Sequence, residues 1–212
     1  MLAITFYNLD DRMRLTSDVE SAFPDLAILG TLPYQASVRK RRSLTVLSEP
    51  GSAYSEAIYQ VRTSMRFMML EKGVKLVVVT SSQPAEGKTT FSSNFAWSMA
   101  GPEDRVVLID GDLRRPATHE HFGVDLAPGL TDLVLYKRQL DSLERTFDEQ
   151  GDGFSFVPAG IYSGNPADFM GSSQLVRQLR CRRRRSLLSS TPHRYCPSRT
   201  LAPSPERAIS RC

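Results

Sequence analysis

A β-branched run at residues 77–79 leads through a short polar stretch into Gly87-Lys88-Thr89, and an amphipathic segment follows. This order predicts a strand, a tight phosphate-binding loop and a helix. In such an arrangement the backbone N–H groups and the helix N-terminus can hold an anion, because both present positive partial charge. Residues 77–90 therefore indicate an anion site between a strand and a helix.

The loop residues predict how a nucleotide is held. Lys88 can reach the terminal phosphates, and Thr89 can offer its hydroxyl to Mg²⁺. Ser82 stands at the first glycine of the Walker A pattern Gly-x-x-x-x-Gly-Lys-[Ser/Thr], so a bare pattern search misses the match. The phosphates would be cradled by the backbone of Ala85, Glu86, Gly87, Lys88, Thr89 and Thr90.

A second apolar run, at residues 105–110, delivers Asp110 and Asp112 at its carboxyl end. In open α/β sheets, ligands bind outside the carboxyl ends of the strands. The phosphate loop and the two carboxylates together indicate an enzyme that acts on a magnesium nucleotide. The alternative for the carboxylates is capping and turn formation at the end of a strand.

The wider pattern is α/β. Strands are predicted over residues 75–80, 105–110 and 154–158, and helices over 52–70, 88–100 and 166–179, with another helix start at 129–135. Strands that alternate with helices imply a parallel sheet with right-handed crossovers. We expect a P-loop NTPase-like parallel sheet flanked by helices and cut short on its C-terminal side.

Charge is distributed unevenly along the 212 residues. Residues 177–212 hold ten of the 27 basic residues, one of the 23 acidic residues and all three cysteines. The rest of the chain is mildly acidic and has no cysteine for a disulfide framework or a zinc site. No apolar run approaches the roughly 18–20 residues that span a bilayer.

Three segments follow from this organisation. Residues 1–50 form a leader and a basic linker, residues 51–180 an incomplete P-loop domain, and residues 181–212 a disordered basic tail. The linker contains Arg39-Lys40-Arg41-Arg42. This charge run is either simply solvated or in contact with anionic lipid headgroups.

The motifs resemble those of a known family. Residues 81–89 are similar to the loop Ser-Ser-x-Pro-Gly-Glu-Gly-Lys-[Ser/Thr] of the bacterial tyrosine kinases of capsule and exopolysaccharide synthesis, with Ala85 in place of glycine. If this position needs a positive φ, alanine strains the loop by roughly 1 kcal/mol. Residues 110–114 match the family's Asp-x-Asp-x-Arg motif in full, and residues 8–33 resemble the segment that joins its membrane adaptor to the kinase domain.

The resemblance implies an ATP- and Mg²⁺-dependent protein-tyrosine (auto)kinase that regulates the chain length and export of a polysaccharide. Lys88 would stabilise phosphate charge, Asp110 would accept the proton of the tyrosine hydroxyl, and Asp112 would hold the metal together with Thr89. The implied location is the cytoplasmic face of the bacterial inner membrane. The implied partners are a chain-length-determinant adaptor, fused or separate, and further copies of the kinase. No nucleic acid partner is expected.

Two features depart from the family. Tyr59 stands where the family's Glu-x-x-Arg-x-x-Arg oligomerisation helix has its first arginine. The Walker B strand, usually Val-Val-Ile-Asp-Thr-Pro-Pro, and the C-terminal tyrosine cluster are missing. These departures put ring assembly and catalysis in doubt.

A frameshift explains the missing strand. Joining the third base of each codon to the first two bases of the next turns residues 187–201 into Val-Val-Ile-Asp-Thr-Pro-Pro-Val-Leu-Pro-Val-Ser-Asp-Ala, with permitted codons throughout. We infer a shift of frame near residues 180–185. We expect the chain as written to be poorly folded at its C-terminal edge and catalytically weak. A natural basic tail that binds nucleic acid is the alternative.

Two other functions are alternatives: an ATPase with the same fold, and a non-catalytic protein that keeps only part of it. A partitioning or cell-division ATPase would carry a signature lysine five positions before Lys88, where this chain has Gln83. A non-catalytic remnant would still bind a membrane adaptor. Transfer of the phosphoryl group to tyrosine rather than to water separates the kinase from the ATPase.

Overall fold

The computed structural model describes residues 16–35, 38, 43–81, 83–147 and 153–185. The start of the leader (1–15), the basic run (39–42), Ser82 and the chain beyond residue 185 lie outside the described residues. Among the helices of the described part, none combines the length and the apolar character that a bilayer span requires.

Eight α-helices and one 3-10 helix are present in the described residues. In chain order they are α1 (Thr16–Ala22), α2 (Thr45–Ser48), α3 (Ala53–Lys72), α4 (Lys88–Met99), α5 (Thr118–Phe122), α6 (Leu130–Leu135), the 3-10 helix (Leu140–Leu143), α7 (Pro166–Met170) and α8 (Ser173–Arg185). The helices expected at 52–70, 88–100 and 129–135 are confirmed as α3, α4 and α6.

A three-stranded sheet of order β1–β3–β2 occupies the centre, with β1 at Val106–Ile109, β2 at Arg145–Thr146 and β3 at Phe154–Val157. The β1 and β3 strands are parallel, and β2 is antiparallel to β3. The parallel pair agrees with the predicted α/β class, and both of its strands were predicted. The short antiparallel β2 was not predicted from the sequence.

The strand expected over residues 75–80 does not form. These residues belong to no strand, and Leu76 and Val78 are 62% and 79% exposed. A strand requires a neighbouring backbone to complete its hydrogen bonds. No described strand is hydrogen-bonded to this run, so its β-branched composition alone does not make it a strand.

Helices cover both faces of β1. Successive residues of a strand point to opposite sides, so alternate residues of β1 meet different helices. On one side, Val106 packs with Phe95 of α4. On the other, Val107 and Ile109 pack with Leu133 of α6. All four residues of β3 are buried. The described sheet therefore lies between two helical layers, as expected for a doubly covered α/β fold.

Gly153 fixes where the parallel ladder begins. Its φ is +80°, and a Cβ at this position would collide with the carbonyl oxygen of Gly101. Its own carbonyl accepts a 2.8 Å hydrogen bond from the N–H of Val106. From there the register pairs Val106 with Phe154 and continues along both strands. The close approach of the two turns is possible because residue 153 has no side chain.

Both ends of α3 are capped, and the helix extends two residues beyond the predicted end at residue 70. Ser52 accepts a 3.2 Å hydrogen bond from the N–H of Ser55 at the start, and Gly73, with φ +61°, follows the last turn. These are standard capping arrangements, because a hydroxyl satisfies an unpaired N–H and glycine tolerates the left-handed conformation.

Two arginines of α3 bind the end of α4. Arg62 donates to the carbonyl oxygen of Ser98 at 3.1 Å, and Arg66 donates to that of Met99 at 3.2 Å. The last carbonyls of a helix lack partners within the helix and carry partial negative charge, so both contacts are favourable. The Arg62 guanidinium also lies 5.0 Å from the centre of the Tyr59 ring. These contacts hold α4 against α3.

The single helix expected over residues 166–179 is two helices. The α7 helix ends at Met170, Gly171 and Ser172 intervene, and α8 begins at Ser173. The α8 helix extends through Arg185, beyond the boundary expected near residue 180. Arginine is a favourable helix former, so the start of the arginine run continues the helix.

Candidate functional site

The phosphate loop leads directly into α4. Gly87 adopts φ +89° immediately before the helix, and the first helical hydrogen bond runs from the N–H of Phe91 to the carbonyl of Gly87 at 2.8 Å. The N–H groups of Lys88, Thr89 and Thr90 therefore have no acceptor within the helix. This is the arrangement that an anion requires at a helix N-terminus.

Ala85 has φ +64°, as the sequence comparison with glycine-containing loops anticipated. Left-handed backbone costs a non-glycine residue roughly 1–2 kcal/mol. The turn is closed by Glu86, whose Oε2 accepts a 3.0 Å hydrogen bond from the N–H of Gln83. The loop thus holds its strained residue with a hydrogen bond across the turn.

Lys88 is positioned by a serine upstream of the loop. Its Nζ donates a 2.8 Å hydrogen bond to the Oγ of Ser81, and that hydroxyl donates to the carbonyl of Gln83 at 2.7 Å. Lys88 makes this contact rather than an ion pair with Asp110 or Asp112. Ser81 was not predicted as its partner, and no spacing rule in the sequence pointed to it.

Asp110 is 5% exposed and lies just after β1. Its carboxylate accepts hydrogen bonds from the N–H groups of Asp112, at 3.0 Å, and Thr118, at 3.4 Å. Burial raises the pKa of Asp110, and the hydrogen bonds from Asp112 and Thr118 counteract this only in part. A carboxyl with a raised pKa is better matched to accepting and releasing protons near neutral pH. Thr118 was not identified from the sequence.

Asp112 is exposed and shapes the turn that follows. Its Oδ1 accepts hydrogen bonds from the N–H groups of Arg114, at 3.2 Å, and Arg115, at 3.0 Å. Both carboxylates therefore organise the turn after β1, the structural role that the sequence left open for them. One oxygen of Asp112 remains outside these hydrogen bonds.

The topology places the loop and the carboxylates at the same end of the sheet. The α4 helix has 12 residues and spans about 18 Å, while β1 has four residues and spans about 13 Å. A short connection joins the end of α4 to the start of β1, and α4 packs along β1. The chain reverses between them, so the start of α4 and the end of β1 lie toward the same end of the sheet.

The oxygen atoms at this edge suit a hard cation. Mg²⁺ prefers carboxylate, hydroxyl and water oxygens, and proteins usually bind it with one or two side chains. Thr89 and Asp112 offer one such hydroxyl and one such carboxylate. Across the described ranges, no group of three or more histidine, cysteine or acidic side chains is arranged for metal binding.

An open pocket of about 380 Å³ lies elsewhere. Its lining includes Leu44, Leu47, Trp97, His121, Phe122 and Phe147. None of the residues expected to bind a nucleotide lines it. This apolar pocket therefore belongs to the packing of α2, α4 and α5 rather than to the phosphate loop.

A glycine turn at the start of α4 and a strand that ends in two carboxylates define a P-loop-type α/β domain. Comparison with known proteins shows which P-loop proteins this chain resembles. Tyrosine-protein kinase YwqD of Bacillus subtilis is 32% identical over 141 residues, which cover 66% of this chain and 58% of YwqD. Tyrosine-protein kinase etk of Escherichia coli is 31% identical over 133 residues, 63% of this chain and 18% of etk.

Solved structures agree. The BceF tyrosine kinase domain superposes with a TM-score of 0.71 at 27% identity, covering 82% of this chain and 73% of that domain. The kinase domain of Escherichia coli ETK superposes with a TM-score of 0.72 at 24% identity, over 82% and 71% of the two chains, and supports the fold. No protein-family model matches the chain.

Over the part that these comparisons cover, the chain is of the bacterial tyrosine kinase type. It spans 58% of the length of YwqD and 18% of that of etk.

Proposed function

We propose that this chain is a P-loop protein-tyrosine kinase that binds Mg-ATP through residues 85–90. The observation that carries this proposal is the start of α4, where Gly87 has φ +89° and the N–H groups of Lys88, Thr89 and Thr90 have no acceptor within the helix. The similarity to tyrosine-protein kinases supports transfer to tyrosine over transfer to water.

Each residue has a defined task in this proposal. Lys88 stabilises negative charge on the terminal phosphates, and the N–H groups at the start of α4 bind the phosphate oxygens. Asp110 accepts the proton of the tyrosine hydroxyl, a role that its raised pKa favours. Thr89 and Asp112 hold Mg²⁺, which neutralises phosphate charge when bound. Positioning and charge neutralisation dominate such reactions, because the transfer needs little covalent chemistry from the protein.

We further propose that catalysis by the chain as written is weak. The family's Walker B sequence is replaced after residue 186 by residues that restore it only in a shifted frame. Residues 76–79, directly before the phosphate loop, include side chains as exposed as Val78 at 79%. A loop that is attached to an unpaired segment is less well ordered for catalysis.

The cellular role follows from the resemblance. We propose a regulator of capsule or exopolysaccharide chain length that acts at the cytoplasmic face of the inner membrane with a membrane adaptor. Residues 1–50 would serve as the adaptor-side leader, residues 51–180 as the kinase domain and residues 181–212 as an out-of-frame tail. In an intact relative of this chain, copies of the kinase would assemble with one another.

Calorimetry on the full chain tests the nucleotide site. Titration with Mg-ATP should give saturable heat, and Lys88→Met should weaken binding by about tenfold or more, because the charged contact to phosphate is lost. Lys72→Met, at the exposed end of α3, is the matched control and should bind like the parent chain. The absence of heat with the parent chain would contradict the proposal.

Phosphate transfer tests the activity. The parent chain and a chain with residues 187–201 replaced by the shifted-frame sequence should be incubated with γ-labelled ATP. We expect Lys88-dependent label on tyrosine, weak in the parent chain and stronger in the restored chain. Release of labelled inorganic phosphate alone would instead support the partitioning ATPase, and adaptor binding without ATP binding would support the remnant.

A further inference from the structure

Met170 is an apolar side chain beside the turn that follows β1. It is the last residue of α7, and it is 48% exposed. Its Cε lies 3.9 Å from the position that a Cβ on Gly111 would take. Gly111 stands between Asp110 and Asp112, the two carboxylates of the candidate site. An exposed apolar group therefore adjoins the residues proposed to act on the tyrosine hydroxyl and on the metal.

The backbone of Met170 is held in place by the rest of α7. Its neighbour Phe169 is 2% exposed and belongs to the same buried cluster as Leu133 of α6. At the start of the helix, the side chain of Asn165 accepts a 3.1 Å hydrogen bond from the N–H of Ala167. This is a standard N-cap, so the short helix is fixed at both its start and its inner face. Met170 therefore stays beside the turn.

Gly111 leaves space next to Met170. Among the described residues, chain neighbours apart, the Met170 methyl supplies the only heavy atom within 4 Å of a Cβ placed on Gly111. The turn itself is ordered, because the N–H of Asp112 donates to the Asp110 carboxylate at 3.0 Å and that of Leu113 donates to the Gly111 carbonyl at 3.1 Å. An exposed step with a backbone floor and an apolar wall results, directly beside the carboxylates.

We propose that the Met170 side chain and the Gly111 backbone hold the aromatic ring of the acceptor tyrosine, so that Met170 favours tyrosine over non-aromatic side chains at this site. The role rests on the proposed kinase function, which supplies the tyrosine acceptor.

The chemistry of this step suits a tyrosine. The ring needs an apolar contact, whereas its hydroxyl must meet a proton acceptor, and the step offers Met170 for the first and Asp110 for the second. The thioether and methyl of methionine make favourable contacts with aromatic rings. A residue without a side chain lets a flat group approach the backbone closely. A serine hydroxyl would reach the carboxylates without covering Met170, so it would gain none of this contact.

NMR on the full chain with isotope-labelled methionine methyl groups tests the contact. The probes are the peptide acetyl-Ala-Ala-Tyr-Ala-Ala amide and the same peptide with leucine in place of tyrosine. The tyrosine peptide should move the Met170 methyl resonance upfield, because the ring current shields a group that lies over the ring. The leucine peptide should not. The methyl of Met99, which is 8% exposed, serves as the reference and should stay unchanged.

Three variants show whether Met170 acts by this contact. Met170→Gln keeps the length of the side chain and should weaken binding of the tyrosine peptide by about three- to tenfold, with unchanged affinity for Mg-ATP. Leu135→Gln, at a 52%-exposed position of α6, is the matched control and should bind like the parent chain. Gly111→Ala should fold normally, because its Cβ would meet Met170 at an ordinary distance, but should weaken peptide binding by filling the space for the ring.

Each outcome separates this role from the nucleotide site. A Met170 methyl that does not move, equal shifts with both peptides, or equal peptide affinity of the parent chain and Met170→Gln would overturn the ring contact. If the chain binds Mg-ATP in that case, the proposed kinase stands without it. A Met170 response in a chain that gives no heat with Mg-ATP would support the ring contact and count against the proposed nucleotide site.

Discussion

The Nζ of Lys88 donates a 2.8 Å hydrogen bond to the Oγ of Ser81, which lies on the other side of the phosphate loop. The same hydroxyl donates to the carbonyl of Gln83 at 2.7 Å. One serine therefore fixes both the loop backbone and the direction of the lysine. Lys88 is held in place before a nucleotide arrives, so its side chain loses less conformational entropy when the nucleotide binds.

Replacing Ser81 by alanine removes this support. We expect Mg-ATP to bind Ser81→Ala roughly three- to tenfold more weakly, since a hydrogen bond of this kind contributes about 0.5–1.5 kcal/mol. Isothermal titration calorimetry measures the change. Ser64→Ala, which removes an exposed hydroxyl bonded only to the Gln60 carbonyl within α3, is the control and should bind normally. Tighter binding by Ser81→Ala would show that Ser81 competes with phosphate.

Replacing Ala85 by glycine should remove backbone strain from the phosphate loop. Ala85 has φ +64°, and glycine removes a strain of roughly 1–2 kcal/mol while adding about 0.4–1 kcal/mol of unfolded-state freedom. We expect Ala85→Gly to unfold at slightly higher urea concentration and to bind Mg-ATP a few-fold more tightly. Lys137→Gly is the matched control, because Lys137 also has positive φ, at +53°, but lies outside the loop. A gain in affinity with both variants would contradict the local explanation.

The buried carboxyl of Asp110 should make stability depend on pH. Its pKa is raised in the folded chain, so the folded chain holds this proton more tightly than the unfolded chain does. Stability from this group therefore falls as pH rises from its ordinary pKa of 3.8 through the raised value, and is constant above it.

Asp110→Asn should not lose stability in this way as the pH rises, because the amide does not ionise. Thermal unfolding between pH 4 and neutral pH should show the variant gaining stability relative to the parent as pH rises. Asp125→Asn, on an exposed loop, should follow the parent. A stability difference that does not change with pH would show that the carboxyl does not titrate in this window.

Removal of the Arg62 side chain should loosen α4. Arg62 binds the Ser98 carbonyl at 3.1 Å and lies over the Tyr59 ring. We expect Arg62→Ala to reduce the free energy of unfolding by about 1–2 kcal/mol, measured by urea denaturation, because a charged hydrogen bond and a cation–π contact are both lost. Arg114→Ala, an exposed arginine, should change it by less than about 0.5 kcal/mol.

The elements with local signals were predictable from the sequence. The start of α4 was predicted from Gly87-Lys88-Thr89, and β1 from an unbroken apolar run that ends at Asp110. The positive φ of Ala85 was anticipated because glycine stands there in similar loops. In each case the neighbouring residues carry the information.

The failures involve contacts that no local sequence period predicts. The run before the loop has a strand composition, but pairing depends on a second backbone that the composition does not reveal. The contacts of Ser81 with Lys88 and of Thr118 with Asp110 join residues seven and eight positions apart, without a helical or strand period to predict them. The roles proposed for Lys88, Asp110 and Asp112 in catalysis remain predictions for the experiments above.

The absence of a side chain at Gly153 has an effect at the opposite end of the sheet. The ladder that starts where its carbonyl meets Val106 continues to a 3.0 Å bond from the N–H of Asp110 to the carbonyl of Val157. A slip of one residue would send every side chain of β1 to the other face and turn the carboxylate of Asp110 away from α4. A substitution at residue 153 would thus displace the Asp110 carboxylate, although the two residues lie at opposite ends of the parallel ladder.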